Sequence, residues 1–298
     1  MAVLSGPASG DVRRARRTLR SFLPLLLLSG LGCRSEPPVM MRRVVEIVGT
    51  NYSFQIPEHI GPNVTLFRFA NDGKVDHELN ISLLKKGAPV TQMIDAIEKN
   101  QTVQPFIDGA VGVLFASPGK KSIGTLSIEL LQGRDYAVIC INRDSANAPR
   151  HIEKGMFSVI HVVDPPLFEG QHLGQGAPTI VATDYAFTYP RTMSAGLHSF
   201  AFQNNGKVRH ELNMALLKQG ATLQQVLAIE KGGGRSDSLF EAGVGVLHSQ
   251  PGKAALGHLE VNMLPGREYM IVCFFSNDDR SPPHYNLGMY GSIRVPQT

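Results

Sequence analysis

The chain has 298 residues, 43% hydrophobic and 18% charged, which is enough material for two ordinary domains with their own cores. Its formal net charge of +4 comes from an arginine-rich beginning, since the residues after position 32 carry equal numbers of basic and acidic side chains. A neutral body offers no cluster of positive charge for phosphates, so we expect no nucleic-acid partner.

The first residues have the pattern of an export signal. A basic segment, "RRARRTLR", precedes an apolar stretch, "FLPLLLLSGLG", that ends before Cys33. Its length of about 11 residues is too short for a transmembrane helix and typical of the h-region of a signal peptide. "LSGLGC" resembles a bacterial lipoprotein signal, although Gly30 stands where leucine is usual. The resemblance implies that Cys33 is lipidated and that a periplasmic or cell-envelope protein is anchored to the membrane. An ordinary secretory signal with an incidental cysteine is the alternative.

An internal duplication organises the remainder. At an offset of 133 residues, "FRFANDGKVDHELNISLLKKGA" aligns without a gap to "FAFQNNGKVRHELNMALLKQGA". We therefore predict an export signal over residues 1–33 and a tether over 34–43. Two domains then follow at 44–164 and 178–298, joined by a Pro- and Gly-rich linker over 165–177.

Within each repeat, short β-branched or aromatic segments are separated by Gly, Pro and Asn. In the first repeat these are "VEIVGTNYSF", "TLFRFAN", "HELNISLL", "IGTLSIEL", "DYAVICI" and "FSVIHVV". The pattern predicts an all-β fold of two tandem Greek-key sandwiches. Apolar residues at helical spacing predict one inserted helix per repeat, at "VTQMIDAIEKN" and "TLQQVLAIEKG".

The duplication also selects candidate site residues, because few chemically capable side chains occupy the same position in both repeats. Of ten histidines and ten methionines, two histidine pairs and one methionine pair coincide, together with one cysteine pair. The coinciding residues are His77, Cys140, His151 and Met156, and His210, Cys273, His284 and Met289. Two imidazoles, a thiolate and a weak thioether form the ligand set of a blue-copper electron-transfer site. We predict up to two such copper sites.

Each repeat thus resembles a cupredoxin, a type 1 copper domain. In that family the first His lies on an inner loop, here "GKVDHEL" and "GKVRHEL", and the other ligands share one loop between the last two strands. The resemblance implies that His151 and His284 present an exposed edge for electron transfer. Three departures stand out. Ten residues separate Cys from His in both repeats, and Glu78 and Glu211 follow the first His where many cupredoxins have Asn. Asp76 and Arg209 precede that His in the first and second repeats, a difference in local charge that we expect to separate the two potentials.

The sequence favours an electron carrier over an enzyme. His-x-His pairs, which build the trinuclear cluster of multicopper oxidases, do not occur, and Ile139 and Val272 precede the cysteines where copper nitrite reductases have His. We therefore expect redox partner proteins of the cell envelope. Copper storage or delivery, or an interaction module with one or both sites empty, are the alternatives. Taken singly, Cys140 and Cys273 also suit a buried core, since each ends an apolar strand. A disulfide between them is not expected, because equivalent strands of two tandem domains would have to meet.

Overall fold

A computed structural model of the chain describes residues 42–163, 173, 176–278 and 280–297. The predicted signal with Cys33, residues 34–41 of the tether and most of the linker lie outside the described residues, and those assignments stay predictions. Arg43, assigned to the tether, is instead the first residue of a strand. Among the described residues, no helix combines the length and the apolar character needed to cross a membrane.

The first repeat contains ten strands and one α-helix in its described part. The strands are β1 (Arg43–Thr50), β2 (Ser53–Gln55), β3 (His59–Ile60), β4 (Asn63–Asn71), β5 (His77–Leu84), β6 (Ile107–Ala116), β7 (Lys120–Lys121), β8 (Gly124–Leu130), β9 (Asp135–Ile139) and β10 (Phe157–Val162). The helix is α1 (Val90–Glu98), and a 3-10 turn covers Ile152–Lys154.

The second repeat follows the same order. Its strands are β11 (Thr179–Thr183), β12 (Ala186–Thr188), β13 (Gly196–Asn204), β14 (His210–Leu217), β15 (Phe240–Ser249), β16 (Gly257–Met263), β17 (Glu268–Val272) and β18 (Tyr290–Arg294). The helix is α2 (Leu223–Lys231), and 3-10 turns cover Asp237–Leu239 and His284–Leu287.

The predicted all-β fold with one helix per repeat is confirmed. Each predicted segment of the first repeat contains a strand, and β5 coincides with "HELNISLL". Helix α1 buries Met93, Ile94 and Ala96 against the sheet, as its helical spacing indicates. Thr222 caps the N-terminus of helix α2 and forms a capping box with Gln225.

Two sheets run through both repeats. One has the order β12-β11-β13-β16-β8-β4-β1-β2, with β7 on β4, and the other β18-β17-β14-β15-β6-β5-β9-β10-β3. The repeats therefore join by strand pairing as well as by packing, and one apolar cluster of buried residues extends through both. All described residues belong to one compact unit, so the domain boundaries predicted from the duplication stay a prediction.

The junction between the repeats is formed by equivalent strands of each repeat. Leu126 of β8 pairs with Leu259 of β16, and Val113 of β6 pairs with Val246 of β15. Each pair joins residues that are equivalent at the 133-residue offset, so the repeats meet through the same surface, as in an isologous dimer. Strands β6 and β15 were not among the segments singled out from the sequence, because their glycines interrupt the alternation of apolar and polar residues.

Candidate metal centres

Strand pairing brings the first His and the Cys of each repeat together. His77 begins β5, Cys140 directly follows β9, and these two strands are neighbours that pair Asn80 with Ile139. In the second repeat, His210 begins β14 and Cys273 follows β17, which is the neighbour of β14. Residues 63 positions apart in sequence thus lie at one end of each sandwich.

The second His completes each group. In the first centre, Nδ1 of His77 lies 3.0 Å from Nδ1 of His151, and Sγ of Cys140 lies 3.8 Å and 3.3 Å from these two atoms. In the second centre, the corresponding distances among His210, Cys273 and His284 are 3.1, 4.0 and 3.3 Å. All six residues are buried. The structure therefore assembles both predicted His–Cys–His sets, each within its own repeat.

These donor sets fit a metal ion. The point equidistant from the three atoms lies about 2.0 Å from each in both centres, close to the metal–nitrogen and metal–thiolate bond lengths of proteins. Burial raises the pKa of the Cys140 and Cys273 thiols to about 12, so a thiolate at these positions requires a cation beside it. Burial and the neighbouring imidazole lower the pKa of His77, and that of His210 to about 4, which keeps both in the neutral, ligating form.

One thiolate and two imidazoles are the soft and borderline donors that copper prefers. The two groups therefore support copper binding at up to two sites. Both cysteines are free of disulfides in the structure, in keeping with this role.

Met156 and Met289 lie beside these groups. Both are fully buried. The backbone N–H of Met156 donates to the carbonyl of His151 at 2.9 Å, and its carbonyl accepts from the N–H of Cys140 at 3.2 Å. The corresponding distances at Met289 are 3.1 Å to both His284 and Cys273. The backbone of each methionine is thus hydrogen-bonded to the histidine and the cysteine of its centre. That its thioether acts as a weak fourth ligand stays a prediction.

The ten-residue loop between Cys and His is held at its base by backbone hydrogen bonds. The N–H of His151 donates to the carbonyl of Asn142 at 2.8 Å, and the N–H of Ile152 to the carbonyl of Cys140 at 2.8 Å. Gly155 then turns the chain with a φ of 96°, in the left-handed region that favours glycine. This requirement explains why a Gly-Met pair occurs in both repeats.

The expectation that His151 and His284 present an exposed edge is wrong. Both residues have a relative exposure of 0%. Nε2 of His151 lies 2.9 Å from Oδ1 of Asp144, and Nε2 of His284 lies 3.0 Å from Oδ1 of Asn277. The physical reason is the loop length, because the extra residues fold back and place a polar side chain over each outward-facing nitrogen.

A tyrosine closes the same side of each centre. The ring of Tyr52 lies edge-on to His151, with centroids 5.1 Å apart, and Tyr185 lies edge-on to His284 at 5.0 Å. The hydroxyl of Tyr52 donates to Oδ2 of Asp144 at 2.8 Å. Hydrogen bonds from Lys154, Tyr52 and His151 hold the pKa of the Asp144 carboxyl well below its usual range.

Glu78 and Glu211 connect the loops that carry the ligands. The carboxylate of Glu78 accepts a hydrogen bond from the N–H of Ile141 at 3.3 Å, and that of Glu211 from the N–H of Phe274 at 2.9 Å. Their own backbone N–H groups point at the Sγ atoms of Cys140 and Cys273, each at 3.4 Å. Burial raises the pKa of Glu78 to about 7. A carboxylate therefore joins the two ligand loops in both repeats.

Sequence reasoning missed several of the supporting residues. Asn71 is fully buried, and its amide donates to the carbonyls of Val75 and Ala116 at 2.8 Å, which shapes the loop before His77. A Cβ on Gly73 would lie 2.8 Å from Nε2 of His77, so the imidazole needs a glycine there. Asn71, Gly73 and Tyr52 all coincide with identical residues in the second repeat, at Asn204, Gly206 and Tyr185. That coincidence was the available signal.

Comparisons with known proteins give structural likeness at low identity. No protein-family model and no curated protein matches the sequence. A dithionite-reduced auracyanin from Roseiflexus castenholzii is 20% identical, with a TM-score of 0.29, and spans 40% of this chain and 98% of its own. Auracyanin A, a blue copper protein from Chloroflexus aurantiacus, is 14% identical, with a TM-score of 0.28, and spans 41% of this chain and 99% of its own.

A copper-containing nitrite reductase from Thermus scotoductus is 14% identical, with a TM-score of 0.22, and spans 86% of this chain and 62% of its own. The similar structures thus include both a blue copper protein and a copper enzyme. They do not decide between these two classes.

Proposed function

We propose that the chain is an exported copper protein that carries single electrons through two type 1 copper centres, one in each repeat. The observation that carries the proposal is the duplicated, buried His–Cys–His set whose donor atoms converge in both repeats. Bound copper would supply the one-electron chemistry.

The residues of each centre perform three tasks. The Nδ1 atoms of the two imidazoles and the Sγ of the cysteine hold the ion, with the methionine thioether as a weak fourth ligand. The N–H of Glu78, or of Glu211, points at the sulfur and stabilises its negative charge. Tyr52 and Tyr185 exclude water from the outward side.

The sheet register favours two centres that act separately. His77 pairs with Ala116 of β6, His210 pairs with Ser249 of β15, and β6 joins β15 at Val113 and Val246. His77 and His210 therefore lie three strands apart in the sheet and at opposite ends of their strands. At the usual strand spacing and rise per residue, their separation is about 25 Å. Because tunnelling falls steeply with distance, we propose that each centre exchanges electrons with its own partner surface.

We propose an electron carrier and not an enzyme, because Ile139 and Val272 precede the cysteines. No histidine therefore stands next to either cysteine to connect its sulfur with a second metal. We also propose that the protein is exported, that Cys33 is lipidated and that its redox partners are proteins of the cell envelope. Expression of Cys33→Ser should move the protein from the membrane fraction to the soluble fraction without altering its copper content.

Addition of Cu(II) to the purified protein tests the function. We expect an intense visible thiolate-to-copper charge-transfer band with up to two copper ions per chain. Cys140→Ser and Cys273→Ser should each remove part of the band, and the double variant all of it. Cys33→Ser is the matched cysteine control and should leave the band unchanged. Copper binding without a band would instead favour storage or delivery, and no copper binding would favour an interaction module.

A further inference from the structure

The two centres differ in what faces the outward nitrogen of the second histidine. In the first centre this partner is the carboxylate of Asp144, 2.9 Å from Nε2 of His151. In the second centre it is the side-chain carbonyl of Asn277, 3.0 Å from Nε2 of His284. Asp144 and Asn277 occupy equivalent loop positions, and each also bonds the nearby tyrosine. The hydroxyl of Tyr52 donates to Oδ2 of Asp144, whereas Nδ2 of Asn277 donates to the hydroxyl of Tyr185. The acceptor of the histidine N–H is therefore a carboxylate in the first centre and a neutral amide oxygen in the second.

The direction of these hydrogen bonds follows from the ligand geometry. Nδ1 of each histidine faces the other donor atoms, so Nε2 carries the proton and donates. A hydrogen bond to a carboxylate is about twice as strong as one to a neutral amide oxygen. It also raises the basicity of the imidazole as a ligand. A more basic imidazole stabilises Cu(II) more than Cu(I).

Neighbouring charges modify this effect without cancelling it. The ammonium of Lys154 bonds the other carboxylate oxygen, Oδ2, and also lies 4.1 Å from the centroid of the Tyr52 ring. The equivalent of Lys154 in the second repeat is Leu287, which is exposed. Oδ1 remains on the imidazole, and the direct hydrogen bond acts over a shorter distance than the cation does.

We propose that Asp144 is a positioning residue that gives the first centre a lower reduction potential than the second, so that the first centre is the stronger reductant. The proposal rests on the proposed function, since it requires copper at both centres. The charges before the first histidine act in the same direction, with exposed Asp76 in the first repeat and half-buried Arg209 in the second.

Single-centre proteins allow the assignment of each potential. In the Cys273→Ser background only the first centre gives the band, and in the Cys140→Ser background only the second. Potentials are then measured by following each band during a redox titration. We expect the first centre to have the lower potential. Asp144→Asn should raise it, through a change of about tenfold in the ratio of Cu(II) to Cu(I) affinity, which corresponds to about 59 mV for a one-electron couple.

The reciprocal substitution keeps the test informative. Asn277→Asp in the Cys140→Ser background should lower the potential of the second centre by a similar amount. Asp76→Asn removes the same unit charge from the first repeat but no hydrogen bond to the ligand, so it should shift the potential of the first centre less than Asp144→Asn does. The band itself should stay in all variants, because none of them removes a copper ligand.

The outcomes separate the two proposals. Absence of a visible band in the parent protein would remove the proposed function. Two bands with equal potentials, a lower potential at the second centre, or no response to Asp144→Asn and Asn277→Asp would overturn the role of Asp144 alone. Equal shifts from Asp76→Asn and Asp144→Asn would show that charge in general acts, and that the hydrogen bond to His151 does not.

Discussion

The ring of Tyr52 lies edge-on to the imidazole of His151 with centroids 5.1 Å apart, on the side where an exposed histidine edge was expected. Tyr52 has a φ of 64° and its equivalent, Tyr185, has a φ of 66°. A left-handed backbone is unfavourable for tyrosine, and strain of this kind is retained where the surrounding structure requires it. Its presence at both copies indicates that covering the ligand is the role of this residue.

Tyr52→Ala should therefore open the first centre to water and small ligands. We expect copper to leave that centre about tenfold faster in excess chelator, since an aromatic contact of this kind contributes up to about 1.5 kcal/mol. Tyr52→Phe keeps the ring and should remain close to the parent. The rate is measured from the decay of the band in the Cys273→Ser background. Tyr185→Ala is the matched control in the other repeat, and an unchanged rate for Tyr52→Ala would contradict the covering role.

Glu78→Ala should weaken the connection between the two ligand loops. Its loss leaves the N–H of Ile141 without its acceptor, which costs about 1–2 kcal/mol of unfolding free energy. Glu78→Gln retains an acceptor oxygen and should lose less than half as much. Denaturant unfolding of the copper-free protein measures both. An equal loss for the two variants would show that the carboxylate acts through its charge instead of through this hydrogen bond.

His248 makes the fold sensitive to acid. Burial, followed by the charge of Arg209, lowers its pKa to about 3, and its side chain is 14% exposed, with Nδ1 3.8 Å from the carboxylate of Glu211. The unfolded chain takes up a proton near pH 6.5 while the folded chain does not. Stability from this group is thus complete above pH 6.5 and decreases as the pH falls toward 3.

The equivalent residue in the first repeat is Phe115, which supplies the natural replacement. His248→Phe should make the copper-free protein less sensitive to acid by about 1.4 kcal/mol between pH 8 and pH 5.5. The comparison uses denaturant midpoints of parent and variant at both pH values. Identical pH dependence in the two proteins would mean that His248 is protonated equally in the folded and unfolded states.

Arg42 neutralises a buried carboxylate at the junction of the repeats. It forms an ion pair with Glu260 of β16, which is 3% exposed and also accepts a hydrogen bond from Ser127 of β8. Arg42→Met should cost about 3 kcal/mol, because it leaves the buried charge unpaired. Adding Glu260→Gln should recover much of the loss. Arg68→Gln, which breaks an exposed pair with Glu46, is the control and should cost less than about 1 kcal/mol.

Gly124 allows the close approach of the two repeats. A Cβ at this position would lie 2.1 Å from the carbonyl oxygen of Val244, a backbone atom that cannot move aside without disturbing β15. Gly124→Ala should destabilise the fold by about 3 kcal/mol. Gly257→Ala is the equivalent change in the other repeat. Its Cβ would lie 3.0 Å from a side-chain atom of Val111 and 3.3 Å from the nearest backbone atom, the carbonyl oxygen of Ser127, so it should cost less. Equal denaturant midpoints would contradict the steric argument.

The positions of most strands and of the helix along each repeat were predictable, because patterns of neighbouring residues determine them. The alternation in "HELNISLL" and the helical spacing in "VTQMIDAIEKN" depend on residues only a few positions apart. Strand β6 was missed for the same reason, since Gly109 and Gly112 interrupt its pattern. Those glycines are explained by contacts with the second repeat, because a Cβ on Gly109 would lie 2.9 Å from Leu256 and one on Gly112 would lie 2.8 Å from the Val246 carbonyl oxygen.

Residue types and their spacing were enough to select the candidates for the metal centres. Coincidence at a fixed offset retains the side chains that both repeats need, and the chemistry of imidazole, thiolate and thioether follows from residue type alone. The continuation of two sheets through both repeats, and the closure of Asp144 and Tyr52 over His151, became visible only in the folded chain. These features depend on contacts between residues far apart in sequence. No local pattern of apolar and polar residues records such contacts, since they form only when strands and loops are brought together by the fold.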